Sequence, residues 1–243
     1  MSLYVYIRTN VVYNAFIALL EKTMNLALVI GLLLLLIIFA SMVSRTPAAQ
    51  KQNLENTIKY CEENNYEFVR NMKFEDLPKK LQEFTTFQRH IGYKEFHSIV
   101  KGNYNNYDFS LMTFIYPGNN STYGRLICLI TKKEGNYPDF YLRDTRTVID
   151  TVGKLLGKQD INISDDKKFS DQFLLQGNNQ EQVINYFNSA RRNIILKEHV
   201  NGYEYEADSE YFAISYPLSP SIPVEEYKAL LSKTVSILSK LEA

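Results

Sequence analysis

The chain has 243 residues, 45% of them hydrophobic and 22% charged, with a formal charge of zero, enough for one ordinary domain with a sizeable core. Four of the 27 basic residues but only one of the 27 acidic ones precede residue 52, so the remainder carries a charge near −3 and has no general attraction for nucleic-acid phosphates. Two cysteines, Cys61 and Cys128, with no paired Cys/His spacing, exclude a disulfide framework and a zinc site and fit a reducing compartment.

Residues 1–23 form an N-terminal segment ahead of Met24. The stretch MNLALVIG has the form of a second start, which would make 1–23 an over-extended gene model. Residues 24–45 are predicted to be a transmembrane helix. The run Leu26 to Val43 holds 18 residues without an ionisable side chain, about 27 Å of helix against a hydrocarbon core of roughly 30 Å. A helix satisfies its own backbone in lipid, so the bilayer is the partner expected for Leu26 to Val43. A cleaved signal peptide, releasing an exported domain, is the alternative. Its apolar region would be shorter and would follow a basic start, and Pro47 spoils the small-residue pattern at Ala48-Ala49. Arg45, Lys51 and Lys59 follow the span against Arg8 and Lys22 before it, which points the larger part toward the cytoplasm. The expected location is therefore the cell membrane, in a single pass, with a cytoplasmic soluble domain.

Residues 46–70 read as a juxtamembrane linker helix, with Leu54, Ile58 and Cys61 on one narrow stripe and polar residues elsewhere. Residues 71–243 then form the soluble α+β domain. Its first part, NMKFEDLPKKLQEFTTFQRHIGYK, reads as loop with short helical turns. From Glu95 the period becomes two, and EFHSIVKG, YDFSLMTFIYP and GRLICLIT form an antiparallel meander. Phe109, Leu111, Thr113 and Ile115 share one face of the second strand, and Pro117 to Ser121 supply turn chemistry. PDFYLRD is a further strand, followed by a helix capped by Asp144 or Thr145 and buried through Val148, Ile149, Val152, Leu155 and Leu156. QDINIS and QFLLQG are short strands. A helix from Asn179 uses Val183, Ile184, Phe187, Ala190 and Ile194. GYEYEADSEYFAISYP is a hairpin turning at Ala207 to Ser209, and a last helix buries Val224, Tyr227, Leu231, Val235, Leu238 and Leu241. The absence of regular strand–helix alternation favours an antiparallel sheet with helices packed on one face.

Few constellations carry chemistry. The stretch from Asp160 through Asp165, Asp166 and Asp171 spaces oxygens like a calcium loop. It lacks the glycine at the sixth position and the glutamate at the twelfth, so a strand followed by a solvated turn is expected. A thiol nucleophile would need a base beside it, and Cys128 with His97 is the one pairing a sheet could supply if their strands paired. The apolar neighbours Leu126, Ile127, Leu129 and Ile130 instead make Cys128 a core residue. His90 and His199 sit near segment ends outside any metal-ligand spacing. Arg143, Asp144 and Arg146 end a strand and open a helix, where capping and ion pairing outweigh anion binding because no glycine-rich turn accompanies them. Asn119 and Asn120 lie in glycosylation sequons that matter only in a secretory lumen.

From Phe96 to Tyr216 the chain resembles a family of uncharacterised bacterial membrane proteins with one N-terminal transmembrane helix and one soluble α+β domain. The likeness rests on VKG at 100–102, YDFSLMTFIY, PDFYLRD, GKQDINI and FSDQFLLQGNNQEQVINYF. It implies a bacterial origin and the anchor-plus-domain layout, and it carries no functional residue. No catalytic, cofactor-binding or metal residue and no cofactor are expected. The function expected is a non-catalytic domain held at the membrane that binds a protein partner or regulates a membrane process. A membrane-tethered hydrolase using Cys128, His97 or the acidic turn is the alternative.

Overall fold

A computed structural model describes residues 48, 50–88, 95–117, 122–131, 137–145, 159–218 and 222–243. The chain divides into two compact units, Met1–Gln52 and Asn53–Ala243. The apolar run Leu26 to Val43 lies outside the described residues, as do the helix expected after Thr145, the turn at 118–121, His90 and Arg146. Among the described residues no helix is long and apolar enough to cross a membrane.

The second unit is an α+β domain built on one antiparallel sheet. Helix α1 (50–64) leads into it, and Asn65, in the left-handed region at φ 56°, ends the helix by letting the Tyr66 N–H reach back to the Cys61 carbonyl at 2.9 Å. The strands are β1 (Glu67–Lys73), β2 (Glu95–Tyr104), β3 (Tyr107–Pro117), β4 (Thr122–Thr131), β5 (Phe140–Asp144), β6 (Gln159–Asp160), β7 (Phe173–Gly177), β8 (Glu204–Ala207) and β9 (Tyr211–Leu218). Their order across the sheet is β1-β2-β3-β4-β9-β8-β5-β7-β6. The expected meander is present as β2, β3 and β4, paired antiparallel in sequence. Its first turn, Asn105-Asn106, holds both residues at positive φ (52° and 68°), the geometry of a tight two-residue hairpin. The β8–β9 hairpin turns where expected, with the Asp208 carboxylate accepting the N–H groups of Glu210 and Tyr211 at 2.7 Å each.

The first face of the sheet carries the main core. Helix α7 (Val224–Glu242) buries all six of the residues expected, together with Leu230, Thr234 and Ile237. Phe109, Leu111, Leu126, Cys128 and Ile130 meet it from the strands. Helices α4 (Lys167–Gln172), α5 (Gln180–Tyr186) and α6 (Ser189–Glu198) complete this layer through Phe169, Val183, Tyr186 and Ile195. Between α7 and the sheet, the hydroxyls of Tyr227, Ser98 and Thr113 close a buried ring at 2.6, 2.7 and 3.0 Å.

Three expectations need correction. The single helix from Asn179 is two helices, because Phe187 leaves helical geometry (ψ 56°) and Asn188 caps a new start by accepting the Arg191 N–H. The break shifts the buried stripe from Ala190 and Ile194 to Arg192 and Ile195. The expected linker helix at 46–70 gives way to strand β1 at Glu67. Its helical part also docks on the domain through Thr57, Tyr60 and Cys61, with Tyr60 against Tyr66 and Lys228 over the Tyr60 ring at 4.9 Å. Finally, helices do not occupy one face alone. A 3-10 turn (Phe74–Asp76), α2 (Lys79–Gln82) and α3 (Thr85–Gln88) lie over the second face, where Leu77, Leu81, Phe84 and Phe87 form a separate core with Phe96, Ile99, Met112 and Phe114. The bulge at His97 makes this layering work by turning Phe96 and Ser98 to opposite faces.

Candidate functional site

Among the described residues, the chemistry-bearing side chains singled out from the sequence each have a defined place. Cys128 sits in β4 facing α7 with no exposure. Burial pushes its thiol up to about 12, only partly offset by the Thr234 hydroxyl, so almost none of it is thiolate at neutral pH. His97 lies on β2, half-exposed, 3.8 Å from Glu95. Strand β3 separates β2 from β4, so the strands of His97 and Cys128 do not pair and no thiol–imidazole dyad forms. Cys61 is likewise buried and raised to about 11.

The acidic stretch is organised by an arginine. Arg192, on the buried side of α6, donates from Nε to Asp166 at 2.8 Å and from a terminal nitrogen to Asp165 at 3.1 Å. Asp166 also caps α4 by accepting the Phe169 N–H. That backbone bond first, and Arg192 second, hold its carboxyl below the usual range. Asp160 accepts from the Gln176 amide at 2.7 Å. Ile161 and Ile163 are buried in the main core, as their alternation implied. Three of the carboxylates of the supposed calcium loop therefore face an arginine or an amide.

Asp144 ends β5, and the helix it was expected to cap lies outside the described residues. Its carboxylate accepts from the Gly202 N–H at 3.2 Å and meets His199 Nε2 at 3.0 Å, while His199 Nδ1 lies 3.3 Å from the Tyr205 hydroxyl. An Asp–His–hydroxyl chain is the geometry of an activated nucleophile. Here the His199 side chain is 3% exposed and Tyr205 is fully buried. Burial also drives the Tyr205 phenol above its ordinary value. A sealed phenol in that position cannot reach a substrate. The chain instead joins the end of β5, the C-terminus of α6 and the start of β8. Phe173 closes the pocket edge-on to the imidazole at 4.8 Å.

The most polar buried feature lies on the second face, across β4, β9, β8, β5 and β7. Arg125 donates to the Glu204 carboxylate at 2.9 Å and to the Ser215 hydroxyl at 3.1 Å, with its side chain 5% exposed. Its Nε is buried without a hydrogen-bond partner. Arg143 stands directly opposite Glu204 in register and donates to the Asp144 carbonyl at 3.1 Å. One step along, Glu206 lies opposite Tyr141, and Tyr141 opposite Gln176, all three buried. Glu206 accepts the backbone N–H groups of Thr85 and Thr86 at 2.5 and 3.0 Å, bringing α3 onto the sheet. Arginines and glutamates balance in this set, so it is an internal ion-pair layer and not a basic pocket for an anion. Sequence reasoning missed Arg125, Glu204 and Glu206 because charged residues alternating along a strand carry the signature of a solvent-facing edge. The one available signal was Arg125 itself, embedded in the otherwise apolar GRLICLI.

Among the described residues no group of three or more His, Cys, Asp or Glu side chains is placed to hold a metal ion. No family model and no curated protein matches the chain. Among solved structures, the crystal structure of the mycobacterial trehalose monomycolate transport factor A, TtfA, is similar at a TM-score of 0.49 and 9% identity, over 77% of this chain and 93% of that one.

Proposed function

We propose that this is a bacterial single-pass membrane protein whose α+β domain, on the cytoplasmic side, serves a protein partner as a non-catalytic binding or regulatory module. One observation carries the non-catalytic part. Among the described residues, Cys128 under α7, His199 between Asp144 and Tyr205, and Asp165 and Asp166 on Arg192 are all spent on the fold. The membrane part rests on the ionisable-free run Leu26 to Val43, long enough to span.

Two measurements test the reading. In cells, the full chain is expected to stay with alkali-washed membranes, and residues 52–243 to be cut by added protease only after the cells are opened. Recovery of the uncut chain in the aqueous fraction overturns the anchor, and cutting in intact cells overturns the sidedness. In the detergent-solubilised chain, Cys128 is expected to react with a small alkylating reagent only as fast as the domain unfolds. Rapid native-state labelling of Cys128 would revive the thiol hydrolase.

A further inference from the structure

The second face of the sheet is closed by a segment unlike the rest of the fold. Residues 74–88 contribute no strand and hold three helical pieces of three or four residues, at Phe74–Asp76, Lys79–Gln82 and Thr85–Gln88. Their apolar side chains belong to a core separate from the one that joins the sheet to α7. The strands beneath, β2, β3, β4 and β9, are already paired with one another and packed on their first face. Lifting the segment would leave that packing intact.

Phe87 packs edge-on against Phe96 and Phe114 at 5.7 and 5.2 Å, while the polar fastening is concentrated on the β8–β9 hairpin. Glu206, 3% exposed, takes the Thr85 and Thr86 N–H groups. Lys80 pairs with Glu210, and Phe84 meets Tyr211 edge-on at 6.4 Å. A buried carboxylate regains its hydration when its cover lifts, so Glu206 favours closure only while both amides are in place. Ordering fifteen residues that hold so little regular structure also costs backbone entropy, which opening returns.

We propose that residues 74–88 form a strap that opens as a unit while the nine strands stay paired, and that Glu206 is its clasp. Opening uncovers an apolar surface formed by Phe96, Ile99, Met112, Phe114, Ile127 and Leu129. The proposal is independent of the reading given under Proposed function, since it holds on either side of a membrane or without one.

Hydrogen exchange read by mass spectrometry on the full, detergent-solubilised chain tests it. Peptides covering 74–88 are expected to exchange at least about ten-fold faster than those covering β3 and β4, because sub-global opening precedes global unfolding. Glu206→Gln is expected to speed 74–88 by about a further ten-fold, the scale of losing a charge-assisted hydrogen bond, with β3 and β4 unchanged. Exchange of 74–88 in step with β3 and β4 overturns the strap. Equal acceleration of all three by Glu206→Gln overturns the clasp. Should that variant fail to fold, Phe84→Ala, which cuts the ring contact to the same hairpin, takes its place under the same two criteria.

Discussion

Replacing Glu204 with glutamine isolates the energetics of the buried ion-pair layer. The variant keeps the shape of the side chain and removes its charge, leaving the Arg125 guanidinium with the Ser215 hydroxyl at 3.1 Å and an Nε that already lacks a partner. Removing one member of a buried pair costs about 3–5 kcal/mol, because the remaining charge stays out of water uncompensated. For a domain of this size that is a fall of roughly 10 °C in Tm. The reverse change, Arg125→Met, should cost less, since Arg143 lies opposite Glu204 in register and supplies a second positive charge. The double variant should lose less than the sum of the two, with a coupling of about 2 kcal/mol, because the Arg125 charge that Glu204→Gln alone leaves uncompensated is no longer there. The chain has no tryptophan and 18 tyrosines, so urea unfolding of the full chain in detergent can be followed by tyrosine emission. Strict additivity, or a Glu204→Gln loss within about 0.5 kcal/mol of zero, would refute the assignment of this pair as buried and coupled.

Three further outcomes follow from the geometry. Gly177→Ala would place a Cβ 2.6 Å from the Asp139 carbonyl oxygen and 2.7 Å from a Val183 methyl, so the same unfolding assay should show a loss of about 1–3 kcal/mol. Tyr227→Phe opens the three-hydroxyl ring but leaves Ser98 and Thr113 bonded to each other at 3.0 Å. A loss near 1 kcal/mol is expected, and one above 3 would mean that the ring organises α7. Glu198 accepts from Lys233 and Lys240 at 2.7 Å each, which hold its carboxyl down at about 2. The unfolded chain binds that proton first as pH falls, so the stabilisation is complete above about pH 4.5 and disappears toward pH 2. With both lysines partly in solvent, its size is about 1 kcal/mol, and Glu198→Gln should flatten the acid limb of Tm against pH by that amount.

Elements with one dominant period were legible from the residues. The α7 stripe, the β2–β3–β4 meander and the β8–β9 hairpin follow from helical or alternating apolar spacing, and each was placed correctly. Short-range chemistry that competes with the period was harder to read. Val183 through Ile194 keeps a helical spacing, yet Asn188 offers an alternative cap that splits the helix, and the split moves the buried stripe to Arg192 and Ile195. Strand β1, EFVRNMK, presents a mostly exposed edge with too little apolar alternation to announce itself. Its place is set by pairing with β2 and not by its own composition.

The candidate site was less legible, for a different reason. Period-two alternation tells which residues share a face but not whether that face meets water. In β8, Glu204 and Glu206 alternate with Tyr205 and Ala207 as they would on a half-solvated strand, yet they are drawn under cover by partners distant in sequence. Arg125 lies 79 positions before Glu204, and the amides that satisfy Glu206 belong to Thr85 and Thr86, 121 and 120 positions away. The sign of each charge is written locally, but its compensation is assigned only by the strand order, which inserts β9 and β8 between β4 and β5. The same insertion brings the β8–β9 hairpin beneath residues 74–88. One topological step therefore both buries the ion-pair layer and supplies the carboxylate that fastens the strap.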